Sequence, residues 1–165
     1  MLAAIAKHID DKIRAYVAEH PKASVIDLGA GLDTTYYRVD NGSIRWYDLD
    51  LPSVIDLRRR LIPETARSTC MAKSLLDFNW LDDIPDTTNG VFLVAAGVLI
   101  FFQESELESF FSSLADGLPG AEIVFNTQSR LGSGDFDKPK RVPAMTETEN
   151  AQISAPTSCS SSESH

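Results

Sequence analysis

Val25-Ile-Asp-Leu-Gly-Ala-Gly-Leu-Asp-Thr-Thr-Tyr-Tyr-Arg38 sets the architecture of the chain: an apolar run stops at Gly29 and Gly31, and helix-opening residues follow at Asp33 and Thr34. A strand here delivers its carboxyl end into a tight turn and a helix, the arrangement that receives nucleotide-like ligands in open α/β sheets. Glycine permits the backbone angles of such a turn, and its missing side chain allows close approach to the main chain. The oxygens of Asp33 and Thr34 suit the first turn of a helix, whose N–H groups lack partners within the helix. Asp27 interrupts the apolar run and requires a partner. It either holds the glycine turn by accepting backbone N–H groups or meets the cationic end of a ligand through that turn.

Outward from this stretch, Ile44-Arg-Trp-Tyr-Asp-Leu-Asp-Leu-Pro52 reads as a second strand running into Asp48 and Asp50 and closed by Pro52. An acidic residue about 20 positions beyond a glycine turn, at the end of the next parallel strand, is placed to grip a ribose diol. Asp50 is the candidate. A dinucleotide fingerprint carries a third small residue where Thr34 stands, and its pyrophosphate needs a helix start free of negative charge, where this chain has Asp33. S-adenosylmethionine has no phosphate and carries a sulfonium and an ammonium group, so these residues favour it over NAD.

Val25-Ile-Asp-Leu-Gly-Ala-Gly-Leu-Asp-Thr-Thr, Arg45-Trp-Tyr-Asp-Leu-Asp-Leu-Pro-Ser-Val-Ile and Ala96-Gly-Val-Leu-Ile-Phe-Phe-Gln-Glu together resemble the leucine carboxyl methyltransferase family, which includes polyketide O-methyltransferases. The likeness spans roughly Leu2 to Thr127. It implies the class I methyltransferase fold, S-adenosylmethionine as cofactor, and methyl transfer to a carboxyl or hydroxyl oxygen. The implied cofactor contacts are Gly29, Ala30 and Gly31 in the turn, Asp50 and Leu51 at the ribose, Ser74 and Leu75 on the adenine side, and Ala96 and Gly97 on the methionine side. The branch acting on protein carboxyl groups tends to carry Glu where Ala96 stands, which favours a small-molecule acceptor. No catalytic residue is assigned, since a carboxylate nucleophile needs no general base. The rival expectation is a shortened, inactive cofactor-binding or interaction module of the same family.

The 165 residues, 43% of them apolar, suit one domain with a real core. A formal charge of −9 argues against nucleic acid or an anionic membrane surface as a partner. Cys70 and Cys159 form neither a disulfide framework nor a metal cluster, so no metal is expected and a reducing compartment fits. The charged residues Lys7, Asp10, Asp11 and Lys12 exclude a signal peptide over the first helix, and no apolar run approaches a membrane span. A cytoplasmic protein is the expectation. His8 and His20 lack the neighbours of a catalytic base and read as surface histidines.

Ile5, Ile9, Ile13, Tyr16 and Val17 recur at helical spacing over Leu2 to Glu19, and His20-Pro21 ends the pattern. Ser24 to Leu28 is the first strand. Pro52 to Leu61 is a helix with Val54, Ile55 and Leu57 inward, and Arg58, Arg59 and Arg60 form a solvated, dipole-favoured C-terminal end. Arg67 to Ala72 is the third strand, with Trp80 in the core beyond it, and Gly90 to Ala96 is a buried fourth. Phe101 and Phe102 either face the sulfonium or pack under the next helix. That helix opens at Gln103, carries Leu107, Phe110, Phe111 and Leu114 on one face, and stops at Gly117-Leu-Pro-Gly120. Ala121 to Thr127 is the fifth strand. The fold class is therefore α/β, a Rossmann-like, mostly parallel open sheet with helices on both faces, incomplete after the fifth strand. The cofactor domain occupies residues 1–128. Residues 129–165, rich in Ser, Pro and Thr, bury too little to offset the entropy of ordering and read as disordered, leaving the fifth strand at an exposed edge.

Overall fold

The structure, a computed structural model, describes residues 2–126 and 140–141. Five parallel strands, β1 (Ser24–Leu28), β2 (Arg45–Asp50), β3 (Ser68–Ala72), β4 (Val91–Ala95) and β5 (Glu122–Phe125), lie in the order β3-β2-β1-β4-β5. Each is short and largely buried, as crossover-connected parallel strands with helices on both faces must be. The sheet grows from β1 to β2 to β3, then returns to the other side of β1 with β4. A crevice opens where the order reverses, at the carboxyl ends of β1 and β4.

Period-two alternation sorts the strand residues onto two faces. Val25, Trp46, Phe92, Val94 and Val124 pack under α1 (Leu2–Glu19) and α2 (Thr35–Val39), through Ile9, Ile13, Tyr16, Val17, Tyr36 and Val39. Ile26, Leu28, Tyr47, Leu49, Leu93 and Ala95 face the opposite layer, filled by Trp80 and by Phe110 and Leu114 of α4 (Glu104–Gly117). Trp80 belongs to this core and is fully buried, its Nε1–H donating to the Leu75 carbonyl at 3.1 Å. A 3-10 turn over Phe78–Asp83 presents it. The α4 start is closed by Glu106, whose carboxylate accepts from the Gln103 N–H at 2.8 Å.

In α3 (Pro52–Leu61), Pro52 opens the helix as expected, but its inner face is Ile55 and Arg58. Leu57, expected inward, is 45% exposed. Arg58, expected in a solvated helix end, is 2% exposed, because three positions after Ile55 it turns back to the sheet. Arg59 lies at the outer strand, where its guanidinium donates to the Cys70 carbonyl at 3.2 Å, while Glu64 accepts from the Cys70 N–H at 2.6 Å.

Two ties fasten the first helices. Asp10 of α1 is buried and takes a forked pair of hydrogen bonds from Arg38 of α2, at 2.8 and 3.0 Å. Arg38 also donates to the Thr34 and Thr35 hydroxyls. Most of residues 129–165, with Cys159, lie outside the described residues, as does the proposed boundary at 128. At Lys140–Arg141 the expectation of disorder is replaced by a two-residue strand, β6, antiparallel to β5 with Arg141 opposite Glu122 and Lys140 opposite Ile123. Along these positions β5 is not the sheet's outer strand.

Candidate cofactor site

The glycine turn sits at the mouth of the crevice and is fastened almost wholly by β2. The Gly29 and Ala30 N–H groups donate to the Leu49 carbonyl at 2.8 and 3.2 Å. The Gly31 N–H donates to Oδ2 of Asp50 at 2.8 Å, and the other Asp50 oxygen accepts from the Leu51 N–H at 2.7 Å. Asp50 is thus a half-buried carboxylate, oriented by two backbone donors and retaining free lone pairs. All three N–H groups of the turn are committed to β2.

Both turn glycines have a positive φ, 71° at Gly29 and 49° at Gly31. Their surroundings differ. A Cβ on Gly29 would meet Cγ2 of Val98 at 2.7 Å, so the close approach at Gly29 is made by the loop after β4. Gly31 has nothing within 4 Å of that position and is the open member of the pair. Asp33 accepts from the Thr35 N–H at 2.5 Å, fulfilling its expected place at the helix start.

Beneath the turn lies a cluster of charge. Asp27 of β1 and Asp48 of β2 are register partners, alternating with the apolar residues of the opposite face and so lying on the side of α1 and α2. Asp48 is 1% exposed and fully partnered: Arg58 reaches its Oδ1 at 2.8 Å, Trp46 Nε1–H donates to the same oxygen at 2.8 Å, and the Ser68 hydroxyl lies 3.4 Å from Oδ2. Burial raises the Asp48 carboxyl above its ordinary range, with Arg58 opposing that shift. The second Arg58 amino group donates to the Gly31 carbonyl at 3.0 Å.

Asp27 is only 3% exposed and has no hydrogen bond or ion pair among the described residues. Its carboxyl is pushed well above the ordinary value, first by burial and then by Asp33 and Asp48. Neither of the alternatives posed for Asp27 is met by the protein alone, since it does not bond the turn N–H groups. Asp27, Asp33, Asp48 and Asp50 therefore lie close together, with Arg58 held by Asp48 and Arg38 3.9 Å from Asp33 as neighbouring cations.

The remaining candidates are dispersed along the same carboxyl edge. Ala30 is buried in the turn and Leu51 is exposed beside Asp50. Ser74 is half-buried and accepts from the Leu76 N–H, whereas the Leu75 side chain packs into the core cluster of Trp80. Ala96 is exposed at the end of β4, and the Gly97 N–H donates to the Asn126 side-chain oxygen at 2.5 Å. Phe102 packs against the core and Phe101 is 79% exposed. His20 stacks on Tyr16 with ring centroids 4.5 Å apart, at the amino end of the sheet and away from the crevice. A concavity of 570 Å³ lined by Tyr16, His20, Lys22, Asn89, Gly90 and Glu122 opens at that far end and contains none of the candidate contacts. Among the described residues no group of His, Cys, Asp and Glu could hold a metal, and no helix is long and apolar enough to cross a membrane.

Residues important to this geometry escaped the reading of the sequence: Arg58, Asp48 as its partner, Val98 against Gly29, and Asn126 at Gly97. A local signal existed for Asp48, which alternates with Trp46 on one strand face, and for Arg58, which shares a helix face with Ile55. None existed for Val98 or Asn126, whose contacts join distant segments.

The sheet order, the crevice and the glycine turn define a Rossmann-like methyltransferase fold. A candidate methyltransferase from Thermobifida fusca YX superposes with a TM-score of 0.64 at 19% identity, over 77% of this chain and 53% of its own. An O-methyltransferase family protein from Burkholderia thailandensis gives 0.54 at 18% identity, over 76% and 38%. An S-adenosylmethionine-bound amino pentose methyltransferase, CalS10 from Micromonospora echinaspora, gives 0.53 at 21% identity, over 76% and 50%. The model of the leucine carboxyl methyltransferase family matches residues 1–115, and the chain belongs to that family. It is 31% identical over 122 residues to TcmP, the tetracenomycin polyketide synthesis O-methyltransferase of Streptomyces glaucescens, a match covering 73% of this chain and 45% of TcmP.

Proposed function

We propose that this chain binds S-adenosylmethionine and serves an O-methyltransferase acting on a carboxyl or hydroxyl oxygen of a small molecule, such as a polyketide. The buried, unpartnered carboxylate of Asp27 carries this reading. An acidic group so placed is costly to ionise unless a cation completes it. Four carboxyl groups, Asp27 with Asp33, Asp48 and Asp50 around it, against two arginines that are already paired, suit a ligand with cationic sulfur and nitrogen and oppose a pyrophosphate. A phosphate would also need free N–H groups at the turn, and those of Gly29, Ala30 and Gly31 are taken.

In this assignment Asp50 holds the ribose diol through the lone pairs left by its two backbone donors, and Asp27 faces the positively charged end. Gly31 offers the open approach. Leu51, Ser74 and Leu75 stand toward the adenine, with Ala96 and Gly97 toward the methionine portion. When bound, S-adenosylmethionine supplies a methyl group on an electron-poor sulfur. The residues of the chain act by orienting and desolvating, which is sufficient for an oxygen nucleophile that arrives ionised. The acceptor is expected to be a small molecule, with neither nucleic acid nor membrane as a partner, in a cytoplasmic setting. The TcmP relationship supports the O-methyl and polyketide elements of the reading.

Calorimetry with S-adenosylmethionine and with its demethylated product tests the assignment. The full chain binds, and Asp50→Ala binds about 10- to 100-fold more weakly, the worth of hydrogen bonds to a charged acceptor. A folded wild type that gives no heat with either compound refutes it.

A further inference from the structure

Gly31 is held on both of its peptide groups. Its N–H meets Asp50 at 2.8 Å, and its carbonyl accepts from Arg58 at 3.0 Å. Arg58 comes from the helix that β2 leads into, and the same guanidinium is anchored on Asp48 at 2.8 Å. One planar fork therefore spans a strand carboxylate and the open glycine of the turn, a geometry a single-nitrogen ammonium cannot copy. The arrangement carries a cost, because Arg58 Nε is buried and donates to nothing among the described residues. An ion pair serving stability alone does not need the Gly31 carbonyl.

We infer that Arg58 is a positioning residue for the cofactor site: by holding the Gly31 carbonyl it fixes the Gly31–Leu32 peptide, which joins at the Gly31 Cα the peptide whose N–H orients Asp50, and so steadies the carboxylate that grips the ribose. This rests on the cofactor reading above and adds a role that none of the site residues proposed there supplies. The chain of contacts runs Asp48, Arg58, Gly31, Asp50, each link a hydrogen bond or ion pair of 2.8–3.0 Å. Asp48 supplies the charge that keeps Arg58 buried, and only the Arg58 to Gly31 bond transmits position.

Three variants of the full chain separate positioning from stability, each assayed by calorimetry with S-adenosylmethionine at a temperature where circular dichroism shows it folded. Arg58→Lys keeps the positive charge for Asp48 but cannot also span to Gly31, and its affinity falls about tenfold or more. Asp48→Asn removes the compensating charge but keeps a side-chain oxygen that accepts from Arg58 and so retains the Arg58 to Gly31 bond; it melts earlier yet binds within about threefold of wild type. The double variant Asp48→Asn/Arg58→Gln leaves no unpaired charge at positions 48 and 58 and therefore folds even if Arg58→Lys does not, yet it lacks the fork and binds about tenfold more weakly. In an Asp50→Ala background, Arg58→Lys adds little further loss, since both substitutions act on the same contact. If Arg58→Lys or the folded double variant binds as wild type does, or if affinity tracks melting temperature across the series, the inference is overturned. A folded wild type that does not bind refutes the cofactor reading itself, which is a distinct result.

Discussion

Replacing either turn glycine by alanine should expose how differently the two are used. Both occupy left-handed backbone, which costs an L-residue about 1–2 kcal/mol. At Gly31 that is the whole cost, since a Cβ there meets nothing within 4 Å. At Gly29 the methyl would lie 2.7 Å from Cγ2 and 2.8 Å from Cβ of Val98, and overpacking of this kind adds about 1–3 kcal/mol. Gly31→Ala should then lose about 1–2 kcal/mol and Gly29→Ala about 2–5 kcal/mol. At roughly 4 °C per kcal/mol, the two melting temperatures should differ by about 4 °C or more. The assay is thermal unfolding followed by circular dichroism, repeated in a Val98→Ala background. Removing the opposing side chain should recover the steric part of the Gly29→Ala loss, giving a coupling of about 1–3 kcal/mol, and should leave Gly31→Ala unaffected. Equal losses at the two positions, or strict additivity of Gly29→Ala with Val98→Ala, would refute the assignment of Gly29 to packing.

Asp27 and Cys70 make further predictions. Because burial raises the Asp27 carboxyl, the folded state binds its proton more tightly than the unfolded state, whose value is near 3.8. Stability is therefore fullest below that value and is lost as pH rises through the folded pKa. Asp27→Asn should remove this loss, so it should melt higher than wild type at pH 8, show little difference at pH 4, and bind S-adenosylmethionine more weakly; melts at the two pH values check the sign. The Cys70 thiol is pushed up to about 11, chiefly by burial. At pH 8 about one molecule in a thousand carries the thiolate, so iodoacetamide should leave Cys70 unmodified in the folded chain and label it promptly in urea, as peptide mass analysis would show.

Much of this geometry was legible because its causes are local. The amphipathic period carries α1 from Leu2 to Glu19, and the apolar run before Gly29 carries β1, since each period reports burial along one element. Asp50 was legible as well, because its place follows from the chain length between two adjacent parallel strands. Arg58 was not. Three consecutive arginines at a helix end satisfy the dipole rule, and only the presence of Asp48 on a neighbouring strand makes it worthwhile to bury one of them. β6 was equally hidden, for two residues have no period and their pairing depends on what β5 presents. The open approach at Gly31 and the blocked one at Gly29 carry the same residue type, and Val98 from the other side of the crevice decides between them.

The attention of Arg59 and Glu64 to Cys70 bears on how copies of this chain behave toward each other. Among the described residues β3 is the last strand on its side, and Cys70 turns its N–H and its carbonyl outward, where a strand from another molecule could continue the ladder. Glu64 already fills the donor and Arg59 the acceptor, with two side chains that also pair with each other at 3.5 Å. An incoming strand would have to displace both before gaining its first hydrogen bond there. The chain thereby carries its own gatekeeper against fibre-like self-association on that flank, built from the last turn of α3 and the segment that leads from it to the strand they guard.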